Sequence, residues 1–191
     1  MSDALKYSET QGWTYADYKS WELKEGERYE IIYGQAYAMS APNTLHQLVL
    51  MEISKQIAVF LTGKPCKVIP APFDVRLFYE EDESDDTVVQ PDITIICDKD
   101  KLGKEGCHGA PEFVLEILSP SNSAIEMHRK YNVYQDAGVL EYWIVDPVNK
   151  QVTVNIFTDE DPVIRKYGEK DKVPVSAVQG LVVDMESVFA Q

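Results

Sequence analysis

The sequence predicts an α/β (α+β) fold, a mixed β-sheet core flanked by helices and entered through an N-terminal β-hairpin. Three observations carry this expectation. Short β-branched or apolar runs bounded by Pro, Gly and charge recur along the chain, at residues 28–39, 66–78, 88–96, 111–120, 141–147 and 151–157. Two longer stretches, 43–61 and about 123–137, carry apolar or functional side chains at helical spacing. The second lies between two of the apolar runs. A strand, a helix of about fifteen residues and a strand read as a right-handed crossover, which brings parallel pairing into the sheet.

In order along the chain, Thr14-Tyr15-Ala16-Asp17 resembles a capping box and opens a short helix to about Trp21, which Glu25-Gly26-Glu27 ends. Residues 28–39 then form a hairpin turning at Gly34. Within it Glu30 sits between apolar neighbours, facing either inward or out from an exposed strand face. Leu45, Val49, Ile53, Ile57 and Phe60 mark a core helix that stops at Gly63, with His46 beside the stripe in its first turn. A lone histidine there is more often structural than catalytic.

Residues 66–78 read as one strand, Asp74 and Arg76 alternating with Val75 and Leu77. The acidic run 80–86 reads as a solvated loop. After the strands at 88–96 and 111–120, the helix closed by Gly138 places Glu126, Lys130 and Tyr134 on one face, where a surface Glu126–Lys130 pair is the plain alternative to a functional lysine. Strands at 141–147 and 151–157 follow. The tail, at 173–175 and 181–184, reads as further β structure before an end segment at 187–189.

The composition sets bounds. A chain of 191 residues with 45% hydrophobic and 26% charged residues is ordinary for a globular protein, and no stretch reads as a linker, so one domain over 1–191 is expected. No apolar run is long enough to span a membrane and no secretory signal is legible, so a cytoplasmic protein is expected. Cys66, Cys97 and Cys107 are odd in number and lack CxxC spacing, which predicts reduced thiols. The net charge of −14 opposes non-specific nucleic-acid affinity, although six of the 32 acids sit in the 80–86 run.

The chemistry-bearing residues are two acids in otherwise apolar strands, Asp92 and Glu116. A carboxylate in such a place is costly unless it is paired, hydrogen-bonded or bound to a cation. If the strands are neighbours, the two would converge as hard oxygen ligands for Mg²⁺ or Mn²⁺, a site suited to metal-assisted phosphodiester hydrolysis. The plain alternative gives Asp92 a capping role after Pro91 and Glu116 a lysine partner in the core.

Taken together, the blocks Thr14 to Trp21, Tyr29-Glu30-Ile31-Ile32 with Gly34, His46, Gln90-Pro91-Asp92, Ala110-Pro111 with 114–121, Lys130-Tyr131 with Tyr134, 138–147 and 181–189 resemble the Uma-type family of restriction-endonuclease-like proteins, within the PD-(D/E)XK nuclease superfamily. The resemblance implies a restriction-endonuclease-like core and an Mg²⁺- or Mn²⁺-dependent endonuclease acting on nucleic acid, DNA first, as a homodimer with no membrane association. It implies Asp92 and Glu116 as metal ligands, to which the mechanism expected of them adds the Ile117 carbonyl. It also implies that the active-site lysine has moved from position 118, which is Leu here, to Lys130 on the next helix. Glu30 and His46 match family positions as auxiliary site residues. The chain departs from the pattern at Glu126, where members usually carry Asp, and at Tyr33 and Gln35 in the hairpin turn. The rival expectation is a fold retained as a binding or scaffold module with its chemistry lost. A third is a hydrolase of small phosphorylated molecules.

Overall fold

The computed structural model describes residues 12–119 and 124–190. The expected helix start at Ser123 and the Pro120-Ser121 part of the family pattern lie outside the described residues. The capping box forms as expected: Thr14 Oγ1 accepts from the Asp17 N–H and Asp17 Oδ2 from the Thr14 N–H, opening α1 (Tyr15–Ser20). The hairpin is β1 (Tyr29–Ile32) and β2 (Gln35–Ala38). Its two turn residues, Tyr33 and Gly34, have φ of 51° and 73°, the doubly positive geometry that a tight two-residue hairpin turn needs.

Helix α2 (Thr44–Leu61) is capped by Asn43, whose side chain accepts from the His46 N–H. Its buried face is His46, Val49, Ile53, Ile57 and Leu61, so His46 belongs to the buried stripe rather than lying beside it.

Two expected strands each divide in two. Residues 66–78 become β3 (Lys67–Pro70) and β4 (Val75–Arg76), and residues 88–96 become β5 (Val88–Val89) and β6 (Ile93–Ile96). Prolines cause both breaks. Pro70 and Pro72 in the first and Pro91 in the second lack the N–H that a continuous ladder needs. The chain then continues through β7 (Cys107–His108), β8 (Phe113–Ile117), α3 (Ala124–Ala137), β9 (Glu141–Asp146), β10 (Gln151–Ile156), β11 (Val163–Gly168), β12 (Lys172–Pro174), β13 (Val182–Asp184) and α4 (Met185–Phe189).

Among the described residues the strands form a five-stranded sheet, β2-β1-β5-β4-β7, a six-stranded sheet, β11-β10-β9-β8-β6-β3, and the pair β12-β13. The crossover is present: β8 and β9, joined through α3, are parallel, while β6 runs antiparallel to β8. Strand alternation then assigns each face of the larger sheet. Ile93, Ile95, Phe113, Leu115, Trp143 and Val145 pack with Val49, Ile53 and Ile57 of α2. Ile96, Val114 and Tyr142 pack with Val133 and Tyr134 of α3. Each such fully buried side chain contributes about 1.5–3 kcal/mol. Glu116, two residues after Val114, therefore faces α3 and the hairpin.

Two expectations fail. The acidic loop is not wholly solvated, because Asp85 is buried against Arg76, whose Nε donates to Asp85 Oδ2 at 2.9 Å. The same guanidinium lies 4.1 Å from the Tyr15 ring and 4.4 Å from the Tyr79 ring, tying the loop to α1. Nor are all three thiols reduced: Cys66 and Cys97 form a disulfide, and Cys107 alone is free and buried. The β3–β6 register pairs Lys67 with Ile96, so one further step sets Cys66 against Cys97. That is long-range pairing, which the thiol spacing does not encode.

Candidate active site

Strand register brings the two acids together. Ile93 pairs with Leu115, Thr94 with Val114 and Ile95 with Phe113. Continuing one residue outward sets Asp92 against Glu116 at the sheet end where β6 leaves Pro91. The Ile117 N–H closes the arrangement, donating to Asp92 Oδ2 at 2.7 Å.

Around this pair the neighbouring elements supply the rest. From α3, Lys130 Nζ donates to Glu116 Oε1 at 2.8 Å and to Glu30 Oε1 at 3.0 Å. From one turn further on, the Tyr134 hydroxyl donates to the same Glu116 oxygen at 2.7 Å. Glu30, on β1, also accepts from the Gln90 N–H at 2.9 Å, so it faces inward and its exposed-face alternative falls. From α2, His46 Nε2 lies 3.1 Å from Asp92 Oδ2. Lys130 is only 3% exposed, and its ion-pair partners are Glu30 and Glu116, so the alternative of a surface pair with Glu126 falls.

All six residues singled out from the sequence (Asp92, Glu116, Lys130, Glu30, His46 and Ile117) line one cavity of about 420 Å³. Tyr134, whose spacing from Lys130 was visible, has a part that the sequence did not assign: it holds Glu116. Two further lining residues, Arg28 and Arg129, carried no sequence signal beyond Arg28 standing two residues from Glu30 on the same strand face and Arg129 preceding Lys130.

The electrostatics follow from burial. Burial pushes the Glu116 carboxyl up to about 8; Lys130 opposes this, and the nearby Asp92 and Glu30 charges add to it. For Lys130 burial alone would lower the amine, but the Glu116 and Glu30 charges outweigh it and hold it well above the usual lysine range. His46 is likewise pulled down by burial and raised on balance by its bond to Asp92. Tyr134 is pushed well above the usual tyrosine range, first by burial and then by Glu116.

The donor set fits a hard divalent cation in a particular way. Hydrogen bonds engage Asp92 through Oδ2 and Glu116 through Oε1, which leaves one oxygen of each carboxylate uncommitted among the described residues. Among those residues no three His, Cys, Asp or Glu side chains converge as a closed cage. Two carboxylates, a carbonyl and several waters is the coordination that Mg²⁺ favours.

Residues 15–186 match the family model described as "Uma2: Putative restriction endonuclease". A protein of Synechocystis sp. described as "Uncharacterized protein slr1290" is 23% identical over 175 residues, spanning 91% of this chain and 89% of that one. The solved structure of "a putative nuclease belonging to DUF820" from Anabaena variabilis matches with a TM-score of 0.73 at 18% identity, over 93% of this chain and 98% of that one. At that identity the likeness is one of fold.

Proposed function

The chain belongs to the Uma2 family, described as "Putative restriction endonuclease", and from that premise we propose that it is a Mg²⁺- or Mn²⁺-dependent endonuclease hydrolysing phosphodiester bonds of nucleic acid, DNA foremost. The observation that carries the proposal is the meeting of Asp92, Glu116 and Lys130 in one cavity. Asp92 Oδ1, Glu116 Oε2 and the Ile117 carbonyl would hold the cation. Such an ion, when bound, acidifies a water and takes up charge on phosphoryl oxygens.

The chain's own residues divide the remaining work. Tyr134 and Lys130 both donate to Glu116 Oε1, which fixes the carboxylate and leaves its second oxygen for the cavity. The Ile117 N–H and His46 do the same for Asp92. Because Lys130 keeps its proton, it orients an attacking water and offsets charge building on the phosphate rather than acting as a base. Glu30 holds the ammonium from its other side.

One observation favours a second reading. The Lys130–Glu30–Glu116 cluster is already a paired, hydrogen-bonded network, as a structural core would require, and the chain carries −14 overall. That reading makes the protein a binding or scaffold module. Calorimetry with Mn²⁺ on the wild type and on Glu116→Gln, with a cleavage assay on DNA and RNA, separates the two. Heat and cleavage in the wild type, both lost in the variant, are expected; no heat in either protein removes the nuclease reading.

A further inference from the structure

The face of the hairpin that carries Glu30 also carries Arg28 and, across the strand pair, Tyr37, which the register sets directly opposite Glu30. All three line the cavity, together with Arg129 of α3. The Arg129 guanidinium stacks 3.8 Å from the centre of the Tyr37 ring, which fixes its plane at the cavity wall.

In a chain with 32 acids and 18 basic residues, an arginine without an acid beside it is unexpected. Yet no ion pair within the described residues engages Arg28 or Arg129. Of the carboxylates that line the cavity, Glu30 and Glu116 pair with Lys130 and Asp92 with His46, while Glu126, three residues before Arg129, forms no ion pair with it among the described residues. Among the described residues both planar donor forks thus stand at the cavity wall without a carboxylate partner.

The third wall points the same way. Pro42 and His46 place the amino end of the 18-residue α2 at the cavity, and its first turn contains no acidic residue. The partial positive charge of that helix end therefore meets no acid of its own first turn, and the carboxylate beside it is Asp92, bonded to His46. Positive groups approach from β1, α3 and α2 around a floor of carboxylates.

We propose that Arg28 and Arg129 form a phosphate clamp at the cavity mouth, taking the backbone of a single nucleic-acid strand next to the phosphate that the Asp92–Glu116–Lys130 cluster addresses. The inference rests on the phosphodiesterase reading and narrows its substrate. Bidentate guanidinium–phosphate contacts supply the recognition. A concave pocket of about 420 Å³ accommodates roughly one nucleotide unit, so a strand that is single or locally opened enters where a closed duplex does not. The chemistry recognised is the phosphate ester, which a strand and a free mononucleotide share.

The test is fluorescence anisotropy with a labelled oligothymidylate of about twelve residues, in EDTA, over a potassium chloride series. Wild type, Arg28→Gln, Arg129→Gln, the double variant and the Arg28→Lys/Arg129→Lys pair are compared, with melting curves to show that each is folded. Each glutamine variant should weaken binding about tenfold, as expected for a lost charge-assisted contact. The double variant should flatten the slope of log Kd against log salt by about 1.4, two contacts at about 0.7 each, while the lysine pair restores the slope but not the full affinity.

No binding by folded wild type, or a double variant with unchanged affinity and slope, overturns the clamp. Displacement by dTMP at concentrations near the oligonucleotide Kd overturns the strand and assigns the clamp to a mononucleotide. Failure of the nuclease reading looks different, because Mn²⁺ heat and cleavage vanish while oligonucleotide binding and its dependence on the two arginines remain.

Discussion

Lys130→Met isolates the electrostatic core of the site. In the native protein the ammonium is 3% exposed and sits between Glu116 at 2.8 Å and Glu30 at 3.0 Å. Removing it strands two buried carboxylates beside Asp92, and breaking a buried pair from one side costs about 3–5 kcal/mol. For a chain of this length each kcal/mol moves Tm by about 2–4 °C, so a drop on the order of 10 °C is expected at about pH 10, where the native Glu116 is charged. The loss must depend on pH. Glu116 has a folded pKa near 8, above its ordinary 4.5, so its favourable contribution is complete below about 4.5 and disappears as pH rises through the folded value. Without Lys130 the strongest influence lowering that pKa is gone, and the variant escapes much of its penalty in acid by protonating Glu116. Melting curves of wild type and Lys130→Met at about pH 6 and pH 10 should therefore differ by a few degrees at the lower pH and by about 10 °C at the higher. Equal melting at about pH 10, or the same deficit at both, would refute the coupling.

Three further outcomes are expected. Asp92→Asn should abolish Mn²⁺ heat while changing stability by only about 1 kcal/mol, because an amide oxygen can still accept from the Ile117 N–H and its NH₂ can meet His46; a loss of about 3 kcal/mol on a denaturant curve would mark Asp92 as one half of a structural ion pair instead. Mn²⁺ affinity should rise by about tenfold per pH unit from pH 6 to 8 and level off above that, since the cation displaces the Glu116 proton and competes with protonated His46 for Asp92; equal heats in buffers of different ionisation enthalpy, showing no proton release, would contradict this. Reducing the Cys66–Cys97 bond, which closes a 31-residue separation, should cost about 3–4 kcal/mol and lower Tm by about 10 °C without altering cleavage; identical melting with and without reductant would count against the bond.

What the sequence discloses and what it hides divide along one physical line. Residues whose environment is set locally were legible: the Asn43-capped stripe of α2, the turn at Gly34 and the β8–α3–β9 crossover all follow from periodicity and punctuation within a short window. Asp92 and Glu116 were legible for the related reason that an acid in an apolar strand calls for a partner. Glu30 and His46 were reached as site residues only through resemblance, because nothing in alternation shows that β1 is buried at every residue, and a lone histidine on a helix does not announce its partner. What stayed hidden depends on pairing between distant segments. The prolines at 70, 72 and 91 announce a break, but not that the halves enter different sheets. Asp85 reads as one more acid in a charged run until Arg76 is placed beside it. Strand β11 has no apolar alternation because much of it faces solvent, and only its ladder with β10 makes it a strand.

The acidity of the chain, the strongest objection to a nucleic-acid substrate, bears differently on a cavity than on an open surface. At physiological ionic strength exposed charges more than about 8 Å apart are largely screened, so the field at the site is set first by the charges that line the cavity, Arg28, Arg129, Lys130 and His46 against Glu30, Asp92, Glu116 and Glu126. What a net charge of −14 removes is non-specific adhesion to a duplex backbone, which an excess of Lys and Arg would have to supply. On the proposed reading, a productive encounter then depends on the few phosphates that reach the two arginines, and on a divalent cation offsetting the paired carboxylates beneath them. The consequence is measurable: the salt dependence of binding should correspond to about two or three phosphate contacts, with a slope near 2, where a nuclease gripping duplex DNA along a basic face would lose affinity several times more steeply.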